Sequence, residues 1–153
     1  AGVATPASMD GRSFAHLLLT QYESAPLPAL RLIKRAPSKP WRTELLIEYG
    51  GGGPVIRYEH LEDDHNNTFR AIRVIDPTAA QGERNLKLVE FTGWDNWDFL
   101  LPASEFELFD LDTDPFEMKN VYNSATSKLK KRLHTTLENL YRCRGTEPGH
   151  ECN

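Results

Sequence analysis

The stretch Phe106-Glu-Leu-Phe-Asp-Leu-Asp-Thr-Asp-Pro-Phe-Glu-Met-Lys-Asn120 carries the strongest structural signal in this chain. Its first six residues contain the apolar run that is typical of a half-buried strand. Pro115 has a fixed φ and no backbone N–H, so the strand cannot continue through it. The stretch therefore predicts a strand that ends in a tight acidic turn.

The acidic turn also resembles the first half of a calcium-binding loop. If Asp110 is counted as the first position, the sixth is Pro115, where an EF-hand has Gly. The twelfth position is Val121, where an EF-hand needs a bidentate Glu. Asp side chains commonly accept hydrogen bonds from the amides of their own turn. We therefore interpret the three aspartates of the turn as capping residues and not as calcium ligands. They are Asp110, Asp112 and Asp114.

Length and charge restrict the class of protein. A chain of 153 residues corresponds to one domain that buries about 68–70% of its unfolded surface. The net charge of −4 argues against nucleic acid as the main partner, and the basic run Lys128–Arg132 is interpreted as a solvated helix face. No stretch approaches the roughly 18 apolar residues of a membrane span, so none is predicted. The start at Ala1 without Met suggests a processed or excised piece.

The remaining pattern predicts an α+β domain. Four segments read as strands: 41–49, 69–75, 85–92 and 106–111. Because short turns and no helical patterns join them, we expect a small four-stranded antiparallel sheet. After the sheet, leucines recur at helical spacing and Ser124 or Thr126 is positioned as the cap of a long C-terminal helix. These leucines are Leu129, Leu133, Leu137 and Leu140. The helix is expected to cover the sheet as a second layer.

Three further features lie outside the predicted strands and helix: a connector, a possible disulfide and a glycosylation sequon. Prolines break residues 25–40 into a surface connector. Cys143 and Cys152 are separated by a flexible octapeptide that can close a disulfide, and two free thiols are the alternative. A disulfide there would contribute about 2–3 kcal/mol. With the Asn-Asn-Thr glycosylation sequon at Asn66, it favours an oxidising compartment.

In this order, the motifs resemble those of the sulfatase family. The last stretch matches the family pattern E-L-Y/F-D-L-x-x-D-P-x-E-x-x-N from Glu107 to Asn120. Earlier segments resemble the family's D-G-x-S turn, its W-R…L-x-E-Y strand and its N-N-T-Y-x-x-V-R strand. These segments are Asp10–Ser13, Trp41–Tyr49 and Asn66–Arg73. The combination is more similar to N-acetylglucosamine-6-sulfatase and the extracellular heparan endosulfatases than to the simpler arylsulfatases.

The resemblance implies a C-terminal subdomain of an alkaline-phosphatase-like enzyme. Residues 1–40 would end the catalytic region and connect it, 41–142 would form the C-terminal domain, and 143–153 would be a disulfide-closed tail. The family's nucleophile is a formylglycine made from cysteine in C-x-P-x-R, and no such motif is present in this chain. Formylglycine and calcium are therefore expected in a catalytic domain outside it, and no cofactor is expected to bind this chain. The isolated chain is expected to be inactive.

By resemblance, this part packs on the catalytic domain and lines a cleft for a sulfated carbohydrate. Two groups are candidate substrate contacts: Asp10, Arg12 and Ser13, and His65, Asn67 and Arg73. Arg12 suits an anionic sugar because guanidinium binds such groups in bidentate geometry, although Asp10–Ser13 is equally compatible with a capping turn. The segment Glu62–His65 either contacts the sugar or is a solvated loop. A lone His65 is not interpreted as a metal ligand.

The loop Trp94-Asp-Asn-Trp97 departs from the endosulfatase pattern. Its tryptophans mark either a sugar subsite or a contact with the catalytic domain. We expect a secreted or lysosomal location. The alternatives are a secreted carbohydrate-binding module without catalysis and a structural subunit without a ligand. A domain separated from its catalytic partner should expose apolar surface, whereas an independent module should not.

Overall fold

The computed structural model describes Phe14, residues 41–51, 53–54, 62–63, 67–96 and 100–145, and Cys152. The chain divides into two compact units. One unit is Thr43–Arg142, and the other combines Ala1–Arg42 with Cys143–Asn153. All the strands and the helix given below lie in the unit Thr43–Arg142.

This unit contains a four-stranded antiparallel sheet followed by one long helix. The strands are β1 (Glu44–Tyr49), β2 (Gly53–Pro54), β3 (Glu62–Asp63), β4 (Phe69–Ile75), β5 (Asn85–Phe91) and β6 (Glu105–Asp110). The helix α1 spans Ser127–Arg142, and short 3-10 turns lie at Trp94–Asn96 and Tyr122–Ser124. The main sheet has the order β1-β4-β5-β6. The predicted sheet and fold class are confirmed, with strand ends that differ by up to three residues.

Strands β2 and β3 form a separate two-stranded sheet that the sequence did not predict. Gly53 pairs with Asp63, and Pro54 pairs with Glu62. Two-residue strands are too short to show a period of two, which is the signal on which strand prediction depends. The segment after β1 therefore forms a short ladder, although its glycines and proline indicated only the exit from a strand.

The core lies between one face of the main sheet and α1. The register places Leu46, Ile72, Leu88 and Leu108 opposite one another in a single row across the four strands. Ile72, Leu88 and Leu108 are almost completely buried. Since alternate residues of a strand share a face, this row fixes which side chains of each strand point toward the helix.

Helix α1 covers that row with its leucines. The Oγ1 of Thr126 accepts a hydrogen bond from the Leu129 amide at 3.2 Å, so Thr126 is the N-cap of the helix. Of the two predicted caps, Ser124 and Thr126, the structure therefore selects Thr126. Leu133 and Leu137 are fully buried in the core cluster, and the partly buried Leu129 and Leu140 pack against it. The predicted leucine stripe is confirmed as the apolar face of the helix. Within the described residues, no helix combines the length and apolar composition needed to cross a bilayer.

The other unit contains a disulfide between Cys143 and Cys152, whose Cα atoms are 5.0 Å apart. The Cys152 amide donates to the Gly145 carbonyl at 3.0 Å, which closes the same loop through the backbone. The predicted disulfide is confirmed. A bridge that closes a loop of this size stabilises it by about 2–3 kcal/mol in the chain-entropy description.

Candidate functional site

The acidic turn, residues 110–120, is the best-defined candidate site, and Asp110 begins it at the end of β6. The Oδ1 of Asp110 accepts from the Asp112 amide at 3.1 Å, and its Oδ2 accepts from the Thr113 hydroxyl at 3.0 Å. Its backbone carbonyl accepts from the Asp114 amide at 2.8 Å. One residue therefore reverses the chain, as the capping interpretation predicted for Asp110.

Asp114 holds the second half of the acidic turn. Its carboxylate accepts from the Met118 amide at 3.1 Å and from the Lys119 amide at 2.8 Å. Glu117 has φ 57°, a backbone conformation that is uncommon for residues other than Gly. The Glu117 carboxylate lies 2.6 Å from the Lys87 ammonium on β5, and both side chains are partly buried. This ion pair therefore holds the side chain of the residue that has the positive φ.

Asn120 attaches the end of the acidic turn to the outer edge of the sheet. Its Oδ1 accepts from the Leu108 amide at 3.1 Å and from the Tyr122 amide at 2.9 Å. Its Nδ2 donates to the Phe106 carbonyl at 3.0 Å. The side-chain amide thus bonds an N–H and a C=O on the side of β6 that has no neighbouring strand in the main sheet. Asn120 therefore protects a sheet edge and also positions the start of the next 3-10 turn.

The carboxylates of the acidic turn are engaged with groups of the protein itself. Those of Asp110 and Asp114 accept backbone N–H groups, and Asp112 Oδ1 accepts from the Asn85 side chain at 2.8 Å. A calcium site would need these oxygens as ligands. Among the residues that the structure describes, no group of three or more His, Cys, Asp or Glu side chains is arranged to hold a metal ion. The carboxylates of Asp110 and Asp114 hold the backbone shape of the turn, whereas Asp112 bonds a side chain of β5 and does not cap its own turn.

A second candidate is a cluster of buried charged side chains between the sheet and α1, which we call the buried polar cluster. Arg70 on β4 and Glu90 on β5 are directly opposed in the register and are 0% and 1% exposed. Glu90 Oε1 lies 2.8 Å from Nδ1 of His134 on the helix. Arg70 Nε lies 3.4 Å from Glu48 Oε1, and its guanidinium lies 3.5 Å from the centre of the Tyr141 ring. The cluster joins three strands to the helix.

Burial dominates the electrostatics of the buried polar cluster. Loss of solvation raises the pKa of Glu90, and the hydrogen bond and charge of His134 only partly oppose this. Burial, together with the Glu90 charge, also raises the pKa of Tyr122. His134 is about half exposed and lines a cleft of about 420 Å³. The other lining residues are Leu100, Leu101, Pro102, Ala103, Phe106 and Glu138. His134 therefore links the buried Glu90 carboxylate to this cleft.

Most of the substrate contacts predicted from the sequence lie outside the described residues. These contacts are Asp10, Arg12, Ser13 and His65. The glycosylation sequon residue Asn66 also lies outside the described residues. Asn67 is exposed just before β4. The Arg73 guanidinium donates to the Leu86 carbonyl at 3.1 Å, and also to the Val74 carbonyl and the Asn85 side chain. Six residues of extended chain separate Asn67 and Arg73 by about 20 Å, so they are not brought together.

The sequence interpretation missed the buried polar cluster. Its signal was present, because Arg70 and Glu90 have the same parity along their strands as the core residues Ile72 and Leu88. A charged residue at an inward position needs a partner, since an unpaired buried charge is strongly unfavourable. The partners were found only when the register placed the two strands side by side and the helix added His134.

The fold and the acidic turn together define an α+β domain with an edge strand closed by a signature turn. Over 105 residues the chain is 30% identical to an arylsulfatase of Volvox carteri and 29% identical to an arylsulfatase of Chlamydomonas reinhardtii. Each similarity covers 68% of this chain and 14% of the relative. No protein-family model matches the chain. The similarity supports a relationship to the sulfatase family, and the chain spans about one seventh of the length of these curated relatives.

Proposed function

We propose that this chain is the C-terminal part of a sulfatase, and that the complete enzyme hydrolyses sulfate esters of sugars or glycosaminoglycans such as N-acetylglucosamine 6-sulfate. The observation that carries the proposal is the acidic turn. Asp110, Asp114, Glu117 and Asn120 occupy positions of the signature that resembles the sulfatase pattern, and each has a specific bonding partner. The similarity to two arylsulfatases supports the same class of enzyme.

In this proposal the chain supports catalysis without providing the nucleophile. Cys143 and Cys152 are joined in a disulfide, and neither lies in a C-x-P-x-R sequence. Formylglycine and calcium would therefore belong to a catalytic domain, in which the chemistry takes place. The domain formed by residues 41–142 would pack on that catalytic domain and supply one wall of the cleft for the sulfated carbohydrate. The enzyme would be a secreted or lysosomal glycoprotein.

The wall of the cleft is assigned to residues on which the resemblance is based. They are Asp10, Arg12, Ser13, His65, Asn67 and Arg73. Arg73 already binds two strands of the sheet, so its exchange would also disturb β4 and β5. Arg12 is the sharper test of a substrate contact, because a guanidinium recognises sulfate through paired N–H groups that Lys does not provide. We expect Arg12→Lys to raise KM for a sulfated sugar more than for a small aryl sulfate.

The test compares two proteins. One is the polypeptide encoded by the complete reading frame that contains this chain, and the other is the 153-residue chain alone. Both are assayed with an aryl sulfate and with N-acetylglucosamine 6-sulfate, and intact mass and peptide mapping locate formylglycine. The proposal expects activity and formylglycine in the first protein and neither in the second. It fails if no formylglycine-containing polypeptide includes or accompanies the chain, and tight binding of sulfated glycans by the chain alone would then indicate a binding module.

A further inference from the structure

The acidic turn presents two large apolar side chains to solvent. Phe116 is 82% exposed and Met118 is 84% exposed. Single exposed apolar residues are common on protein surfaces and need no explanation. Here, however, two such residues lie within three positions and bury almost none of their area. Core packing of the unit Thr43–Arg142 therefore does not account for them.

The backbone around these two residues is held in place on both sides. Asp114 binds the amides of Met118 and Lys119, so the segment cannot turn Met118 inward without breaking two hydrogen bonds. Glu117 lies between the two apolar residues and is tied to Lys87 on β5. A mobile loop would let Phe116 fold back on the protein surface, as the hydrophobic effect favours. The turn instead keeps both side chains directed outward.

The turn that carries the two side chains is acidic on balance. It contains Asp112, Asp114 and Glu117 against one lysine, the exposed Lys119 next to Met118. The Lys87 charge is already paired with Glu117. A complementary surface would therefore combine an apolar pocket with a rim of Lys or Arg, since interfaces join apolar centres and matched charges at their edges.

We propose that Phe116 and Met118 are the anchor by which this domain inserts into an apolar pocket with a basic rim, on the catalytic part of the same sulfatase polypeptide. The chain spans only 14% of the arylsulfatases that it resembles, so the greater part of such a protein lies outside these residues. That part is the occupant to which the proposal commits. The inference rests on the proposed function and names the contact that the domain uses.

The experiment exchanges both residues in the complete polypeptide and in the 153-residue chain. The variant is Phe116→Ser with Met118→Ser. The matched control is Ile75→Thr, which removes another exposed apolar side chain, at the end of β4, and keeps a β-branched residue there. Urea unfolding reports the stability of the isolated chain. Limited proteolysis of the complete polypeptide, at low and high salt, reports how often this domain separates from the rest.

If Phe116 and Met118 form the anchor, the variant should behave differently in the two proteins. In the isolated chain both variants should unfold at the urea concentration of the wild type, because the side chains are exposed. In the complete polypeptide, only the Phe116/Met118 variant should be cleaved faster, by roughly 10- to 100-fold or more, since losing one buried apolar side chain already accounts for about that factor. High salt should increase cleavage of the wild type, since it screens the charged rim.

Three results would overturn the proposal. Equal cleavage of the variant and the wild type in the complete polypeptide would show that these residues make no contact there. A lower urea midpoint of the Phe116/Met118 variant in the isolated chain would show a role inside this domain. Equally fast cleavage of the Ile75→Thr control in the complete polypeptide would show that the effect is not specific. Sulfatase activity is measured separately on the wild type, so loss of the anchor and failure of the proposed function are distinguishable.

Discussion

Replacement of Asn120 tests whether the acidic turn is held by its side chains. Asn120→Ala removes three hydrogen bonds, to the Leu108 amide, the Tyr122 amide and the Phe106 carbonyl. A hydrogen bond contributes about 0.5–1.5 kcal/mol net, and because Asn120 is exposed, water can replace part of each bond. We therefore expect the free energy of unfolding to fall by about 1.5–3 kcal/mol. The melting temperature should fall by about 5–10 °C.

Asn120→Asp separates the accepting role of the side-chain oxygen from the donating role of the side-chain nitrogen. The remaining oxygens still accept from the Leu108 and Tyr122 amides, but the donor to the Phe106 carbonyl is replaced by an oxygen. The loss should be smaller than for Asn120→Ala, about 1–2 kcal/mol. Asn123→Ala is the matched control because Asn123 is an exposed asparagine in the next 3-10 turn. This control should change stability by less than about 0.5 kcal/mol.

The assay is urea unfolding of the 153-residue chain, monitored in parallel by tryptophan fluorescence and far-UV circular dichroism. Coincident transitions by the two probes justify a two-state fit of the unfolding free energy. The reasoning is refuted if Asn120→Ala and Asn123→Ala have the same unfolding free energy. In that case the three hydrogen bonds of Asn120 would contribute nothing beyond what water provides.

Three further changes test the core, the buried polar cluster and the tail. Leu137→Ala should lower the unfolding free energy by about 2–5 kcal/mol in the same urea assay, because Leu137 is fully buried. Burial raises the folded-state pKa of Glu90, so the folded state binds more protons and stability should rise as pH falls from neutral toward the unfolded pKa. Glu90→Gln should remove that rise, as measured by urea midpoints across pH. Replacing Cys143 and Cys152 by Ser should remove about 2–3 kcal/mol of loop closure and accelerate trypsin cleavage after Arg144.

The fold was predictable because its signals are local and repeated. The alternation along β5 and the leucine spacing along α1 each extend over several residues. Both place leucines at the interface between the sheet and the helix. Strand ends were less predictable, because pairing decides them. Trp41 was predicted to begin the first strand, but the ladder with β4 begins where Glu44 meets Val74. The length of a strand depends on its partner, and a partner is not visible in the strand's own residues.

The buried polar cluster was not predictable for a related reason. Arg70 and Glu90 are separated by 20 positions in the sequence, and only the register of β4 against β5 makes them neighbours. A one-residue slip of β5 against β4 would place Glu90 on the opposite face of the sheet from Arg70. Each charge would then lose a buried neighbour, which is unfavourable. We therefore expect the pair to favour the observed register over its neighbours.

The acidic turn separates residues that determine shape from residues that determine contact. The side chains of Asp110, Asp114 and Asn120 bond the backbone of the turn or of β6. Phe116 and Met118 lie between Asp114 and Asn120 in the sequence, and their side chains are exposed to solvent. The first group therefore explains how the signature fixes the shape of the turn, and the second group is the one that the anchor proposal uses. If the anchor is correct, changing Asn120 should weaken both the fold and the domain contact, whereas changing Phe116 should weaken only the contact.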